Sequence, residues 1–268
     1  GRHRAREPGA PTLLVYGHYD VQPPEPLEPW TSPPFEPEVR DGRIWGRGAA
    51  DDKSQIFLQV AAAEAALAAT GLPVNLILLF EGEEEIGSPS LVPWVEEHVG
   101  ELAADHVLVA DSMMLGPGRP SLIFGMRGIA YFEVEATIGS TDLHSGQYGG
   151  AVPNPANALA AMIASLHAGG RVAIRGFYDD VVMPPEHVRE AWRWLGFDDD
   201  AFRATAGGAA LVGEPGFSTL ERLWARPALD VNGLMAGYTG PGKKTVLPSS
   251  AVAKLSARLV PDQEPASI

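Results

Sequence analysis

The sequence has 268 residues, 45% hydrophobic and 20% charged, so it can bury a core and is long enough for one large or two ordinary domains, which rules out wholesale disorder. Thirty-four acidic residues against twenty basic ones give a formal charge of −14, and with no basic patch to offset it this balance excludes nucleic acid and anionic membrane surfaces as partners. Zero cysteines remove disulfides, thiolate nucleophiles and zinc–thiolate sites together, leaving His, Asp, Glu and water as metal ligands.

At the start of the chain, Arg2, His3, Arg4 and Arg6 form the densest basic run, but no apolar stretch follows, so it reads neither as a signal peptide nor as an anchor. Residues 12–16, 74–80 and 106–110 are short aliphatic runs of the kind that form strands buried in a parallel sheet. The longest of them is far below the roughly 20 residues needed to span a bilayer. The missing signal and the absence of disulfides predict a cytoplasmic setting. Residues 22–37 carry seven prolines and predict a stiff surface loop. An Ala-rich helix is expected over 53–70, stopped by Gly71-Leu72-Pro73, and a shorter one over 88–102. This alternation of strands and helices is the α/β habit.

The texture changes near Arg127. Residues 129–138 and 251–260 alternate apolar and polar, as half-exposed antiparallel strands do. Between them a helix is predicted with Asn154 as N-cap, Pro155 in the first turn and Gly169-Gly170 beyond its end. The expected organisation is an α/β unit over 1–126 and an α+β unit over 127–268.

All three buried-strand candidates end in ionisable residues: His18 and Asp20 after the first, Glu81, Glu83, Glu84 and Glu85 after the second, Asp111 after the third. Ligands of open α/β sheets bind at the carboxyl ends of strands. Asp51 and Asp52 add a carboxylate pair before the Ala-rich helix, where an Asp also commonly serves as a plain N-cap. Gly46-x-Gly48 is not the dinucleotide fingerprint, because Asp51 stands at its third position. One imidazole with several carboxylates suits one or two divalent ions, zinc first, with manganese or cobalt as alternatives. A carboxylate left off the metal would serve as general base. Glu84 and Glu85 can divide those roles only if the chain bends between Gly82 and Gly87, since neighbours in an extended strand point opposite ways.

Five motifs, in this order, resemble the dinuclear-zinc metallopeptidases that include carnosinases, cytosolic non-specific dipeptidases and glutamate carboxypeptidase, the dipeptidase branch above all. They are Gly17-His-Tyr-Asp-Val-Gln-Pro23, Trp45-Gly-Arg-Gly-Ala-Ala-Asp-Asp-Lys53, Phe80-Glu-Gly-Glu-Glu-Glu-Ile-Gly-Ser88, Val109-Ala-Asp111 and Asp142-Leu-His-Ser-Gly146. The resemblance covers about residues 13–261. It implies a catalytic domain, present in part over 1–126, and a lid that also makes a homodimer, present in part over 127–268. It implies two divalent ions, with His18, Asp51 (bridging), Glu85 and Asp111 as ligands, Asp20 orienting His18, and Glu84 as general base. It further implies a cis peptide between Asp51 and Asp52. From the lid, His144 would reach a partner subunit's site to stabilise the oxyanion, while Thr245 and Arg258 contact substrate, Arg258 at its carboxylate.

The implied activity is hydrolysis of the amide bond of dipeptides by a metal-activated water. Two other readings stand beside it: an N-acyl amino acid deacylase of the same family, and an inactive dimerisation or binding protein. The family's second metal-binding His comes from a later segment, and none of His3, His98, His106, His167 or His187 stands in its motif. The expectation is therefore a chain truncated at both ends, with an incomplete metal site.

Overall fold

The computed structural model describes residues 1–116 and 118–268, which divide into two compact units, Gly1–Ser121 and Leu122–Ile268. The first contains β1 (Arg2–His3), β2 (Thr12–His18), β3 (Glu38–Arg40), β4 (Arg43–Trp45), α1 (Lys53–Ala69), β5 (Asn75–Glu81), α2 (Leu91–His98) and β6 (His106–Val109). Its main sheet has the order β1-β5-β2-β6, with β2 parallel to both neighbours and β1 antiparallel at the edge. The three aliphatic runs thus form the parallel part, as expected. In register, His18 pairs with Glu81 and Tyr16 with Val109, so the chain just beyond β6 comes level with the end of β2. Leu14, Val15, Leu76 and Ile77 are the buried centre of this sheet.

Several local features depart from the sequence reading. The helix expected over 88–102 is confined to α2, preceded by a separate 3-10 turn at Glu84–Ile86, because Gly87 and Ser88 both take left-handed backbone (φ 88 and 52). β3 and β4 form an unforeseen hairpin whose signal is Asp41-Gly42, both at positive φ, the pair that a two-residue turn favours. Residues 22–37 carry no strand or helix.

In the second unit follow β7 (Gly128–Thr137), β8 (Leu143–His144), α3 (Ser145–Tyr148), α4 (Pro155–Ser165), β9 (His167–Ala168), β10 (Arg171–Val172), α5 (Glu186–Trp194), α6 (Asp199–Thr205), α7 (Thr219–Trp224), β11 (Ala228–Ala236), β12 (Val246–Leu247) and β13 (Ser250–Leu259). An antiparallel sheet of order β11-β13-β7 is its framework. Asn154 caps α4 as predicted, accepting from the Ala156 amide at 2.9 Å. Gly169 and Gly170 do more than end that helix: both at positive φ, they turn the β9–β10 hairpin, and a Cβ on Gly170 would lie 2.4 Å from the Gly213 carbonyl.

The core lies on one face of the sheet. Leu159 of α4 is fully buried against Ala251 and Ala253, while Ala130, Phe177, Leu229, Leu255, Ala257 and Leu259 form a second cluster. The small residues of β13 let α4 approach the sheet closely. β13 is more buried than a half-exposed strand, because it is central and even Ser256 on its other face is covered. Two helices are tied by Glu221, which completes a capping box with Ser218 and accepts from Arg189 Nε at 2.6 Å. Among the described residues no helix is long and apolar enough to cross a membrane.

Leu159→Ala is expected to destabilise the protein by about 2–5 kcal/mol, through lost burial and the cavity left under β13. Asn154→Ala should cost about 1 kcal/mol through the lost cap. Denaturant midpoints of the two variants check both values and their order.

Candidate metal centre

β2 delivers His18 to the carboxyl edge of the sheet, where its ring is completely buried. Its main chain is placed by α1. Gly17 has no side chain, and a Cβ there would lie 2.8 Å from both Asp52 Oδ2 and Ile56 Cγ1, so the glycine lets the start of the helix press against the strand. Across that contact Asp52 Oδ2 accepts from the His18 amide at 3.1 Å. The peptide between Asp51 and Asp52 is cis, as the family resemblance implies.

The His18 ring is held from both nitrogens. Nδ1 lies 3.2 Å from Asp20 Oδ1, and Nε2 lies 3.1 Å from Asp51 Oδ1, 3.5 Å from Asp111 Oδ2 and 4.0 Å from Glu84 Oε2. Burial by itself lowers the ring's pKa, but the carboxylates around it, Asp111 foremost, outweigh burial and hold it above the usual histidine value. Asp20 behaves in the opposite sense. Burial opposes its ionisation, yet the amides of Glu85 (2.9 Å) and Glu84 (3.2 Å), its own amide and the His18 ring keep its carboxyl below the normal range. One carboxylate therefore orients the imidazole and anchors the glutamate turn.

The bend needed between Gly82 and Gly87 is this 3-10 turn. It sends Glu84 toward His18, whereas Glu85 Oε2 accepts from Gln22 Nε2 at 2.6 Å. Burial raises the Glu84 pKa; His18 works against this rise, and Asp111, Glu85 and Asp20 add to it. Asp111 is also raised, by burial and then by the Asp51 charge. Glu83 has a structural task, accepting from the Ser90 amide at 3.0 Å. Glu81 accepts from the Tyr16 and Ser88 hydroxyls.

Could a metal ion fit? His18, Asp51 and Asp111 each offer a ligand atom, and all three atoms lie within 4.8 Å of one another. A tetrahedral zinc ion with bonds of about 2.0–2.1 Å separates its ligands by about 3.3–3.5 Å, so the two closest spacings suit it. A ligand imidazole whose other nitrogen meets a carboxylate is the usual metal-site pattern, and Asp20 supplies that partner. The donor set therefore fits a divalent ion. Glu85 is outside this three-donor cluster.

Asp52 is the residue that sequence reasoning undervalued. It stands at the N-cap position of α1 yet makes no side-chain cap bond; its carboxylate is turned toward β2, where Oδ1 is buried without a hydrogen-bond partner among the described residues. Its position in the doubled Asp51-Asp52 was the only available signal. Gln22 stands in the Gly17–Pro23 motif but was given no role there, because its partner Glu85 lies 63 residues along the chain.

In the second unit, pairing of β8 with β12 brings His144 beside Val246, and Thr245 Oγ1 lies 3.2 Å from His144 Nε2. The Gly146 amide donates to His144 Nδ1 at 3.0 Å. An Nδ1 that accepts carries no proton, so the neutral ring bears its hydrogen on Nε2, the nitrogen facing Thr245. Asp142 secures the loop by accepting from the amide (2.9 Å) and hydroxyl (3.1 Å) of Ser249, and these bonds hold its pKa below the usual carboxylate range. Arg258 is elsewhere on the sheet: it follows Ser250 by eight residues along β13, about 26 Å at the rise of a strand. The structure thus joins His144 to Thr245 and separates both from Arg258.

Comparison with known proteins accords with these features. The family model for Peptidase family M20/M25/M40 matches residues 14–238. Human Beta-Ala-His dipeptidase is 32% identical over 259 residues, covering 95% of this chain and 51% of the relative. The Cys-Gly metallodipeptidase dug1 of Schizosaccharomyces pombe is 33% identical over 263 residues, covering 96% and 55%. Among solved structures, an M20 family metallo-carboxypeptidase, Sso-CP2 from Sulfolobus solfataricus, superposes with a TM-score of 0.87 at 38% identity, covering all of this chain and 61% of that one. Human carnosine dipeptidase 1 superposes with a TM-score of 0.81 at 31% identity, covering 98% and 56%. The chain spans about half the length of the curated relatives it matches. With the model matched over most of its length, the chain belongs to Peptidase family M20/M25/M40.

Proposed function

We propose that this chain carries the metal-binding part (1–126) and the lid part (127–268) of a cytoplasmic, two-metal dipeptidase that hydrolyses the amide bond of small peptides. The observation that carries the reading is the convergence of His18, Asp51 and Asp111 at the strand ends, with Glu84 next to them. The names of the dipeptidases it resembles point the same way.

His18 and Asp111 would hold one ion, Asp51 would bridge, and Glu85, released from Gln22, would serve the second, which needs a further histidine donor. Zinc is the first choice, with manganese or cobalt as alternatives. When bound, such ions supply Lewis-acid polarisation of the scissile carbonyl and lower the pKa of water. Asp20 keeps the His18 ring in its working orientation. Glu84 takes the proton of the attacking water as the C–O bond forms, then delivers it to the amine nitrogen as the C–N bond breaks. Its raised pKa suits a group that must both accept and release that proton. His144 donates its Nε2–H to the developing oxyanion, with Thr245 beside it, and Arg258 takes the substrate carboxylate.

Homodimerisation through the lid belongs to the same proposal, and the spacing of these last groups supports it. His144 and Thr245 lie near the Ser250 end of β13 and Arg258 near the other, whereas an extended dipeptide spans only about 7 Å. Two copies, each contributing to the other's site, would bring both groups to one substrate.

Glu84→Gln is expected to lower kcat for dipeptide hydrolysis by about 10²–10⁴-fold with bound metal unchanged; a loss of only a few-fold rejects Glu84 as the base. Faster turnover of N-acyl amino acids than of dipeptides, assayed side by side, would reassign the substrate class. Dialysis followed by elemental analysis tests the ligands. His18→Ala should lose bound zinc, and Asp20→Ala should weaken zinc binding by about 10–100-fold. Unchanged zinc content in the His18 variant removes that residue from the site.

A further inference from the structure

The hydrolytic scheme leaves Glu81, the last residue of β5, without a task. Glu81 is paired in register with His18, and Tyr16, two residues before His18 on β2, shares that face of the sheet. From there the Tyr16 hydroxyl donates to Glu81 Oε1. The same oxygen accepts from the Ser88 hydroxyl at 2.8 Å, and the Glu81 carbonyl accepts from the Tyr19 amide at 2.9 Å. Glu81 is thus fixed to β2 through main chain and side chain together, and Ser88 is fixed to Glu81.

Ser88 closes the turn that presents Glu84. The bonds inside that turn are short-range: the amides of Ile86 (3.2 Å) and Ser88 (2.8 Å) donate to the Glu83 carbonyl, and that of Gly87 (2.8 Å) to the Glu84 carbonyl. A single 3-10 turn has little rigidity of its own. At φ 52, Ser88 occupies left-handed backbone that glycine would adopt at lower cost. What serine adds over glycine there is a hydroxyl, and the hydroxyl goes to Glu81. Glu84 meanwhile lies among like charges, those of Asp111, Glu85 and Asp20, and repulsion among them acts to drive the glutamate outward. Two tethers oppose that push. Asp20 grips the turn by the amides of Glu84 and Glu85, and Glu81 grips its exit through Ser88.

We propose that Glu81 is a positioning residue for Glu84: clamped by Tyr16, its carboxylate holds Ser88 and with it the turn that aims Glu84 at the His18 ring. The proposal rests on the hydrolytic reading for the role of Glu84, and its test separates the two. Dipeptide hydrolysis and zinc content are measured for the wild type, Glu81→Ala, Glu81→Gln, Ser88→Gly and the Glu81→Ala/Ser88→Gly double variant. Glu81→Ala removes the acceptor, so kcat should fall about tenfold or more, with KM within about twofold and bound zinc unchanged. Glutamine keeps an oxygen that accepts both hydroxyls, and Glu81→Gln should recover kcat to within about threefold of wild type. Ser88→Gly removes the hydroxyl while easing the left-handed backbone; it should lose as much as Glu81→Ala, and the double variant no more than either. A Glu81→Ala variant with wild-type kcat rejects the proposal. So does a Glu81→Gln variant as slow as Glu81→Ala, since charge and not the tether would then matter, or losses that add in the double variant.

If the wild type hydrolyses no dipeptide, the hydrolytic reading has failed, and amide hydrogen exchange tests the tether without turnover. In Glu81→Ala the amides of Glu84 and Glu85 should exchange about tenfold faster or more than in wild type, with those of α4 unchanged. Equal exchange in the two proteins overturns the tether. Should Glu81→Ala not fold, Ser88→Gly replaces it in both measurements with the same expected direction, and a Ser88→Gly variant that matches wild type in kcat and in exchange rejects the proposal.

Discussion

Parallel pairing holds β2 in step with β5 on one side and β6 on the other, and the first unit's chemistry depends on that register. Parallel neighbours must end at the same edge of a sheet, so residues far apart in sequence arrive level there. His18 meets Glu81 directly, and Asp111, two residues beyond the partner of Tyr16, reaches the same height. A slip of one residue would turn His18 to the other face and dissolve the cluster. The aliphatic runs are therefore as necessary to the cluster as its polar side chains, because they fix how the strands align.

The polar groups at this edge illustrate a balance of opposing electrostatic demands. Four carboxylates lie near one buried imidazole, and among the described residues no lysine or arginine is ion-paired with them. Burial first, and then the neighbouring carboxylate charges, push Glu84, Asp111 and the adjacent Asp52 toward protonation, while Asp20, supplied with amide donors, stays readily ionised. Such an excess of negative charge is what a divalent cation would relieve, and it is costly without one. The same amide bonds that keep Asp20 charged also tie the glutamate turn to the end of β2, so ring and turn keep a fixed relation.

Much of this was legible in the sequence. The three buried strands, α1, α4 with its cap, β7 and β13 follow from aliphatic runs, alternation and punctuation, and His18, Asp20, Asp51, Glu84 and Asp111 from their places at strand ends or before a helix. What escaped had tertiary causes. Two- and three-residue strands such as β1 and β3 carry too little pattern to register, although Asp41-Gly42 marked the β3–β4 turn. Asp52 looked like a cap because residue type at a helix start says nothing of what the helix packs against. Ser256 looked exposed because alternation describes a strand's two faces and not what covers each.

The contact between His144 and Thr245 joins residues 101 positions apart, through two strands of only two residues each. So short a ladder contributes little stability alone and relies on the larger sheet, to which Asp142 and Ser249 bind it. Closing a loop of that length is entropically expensive and is compensated only after β13 has docked between its neighbours. The pair is held by the scaffold beneath it more than by its own short pairing. The imidazole's orientation thus depends on a scaffold whose parts are drawn from distant stretches of the sequence.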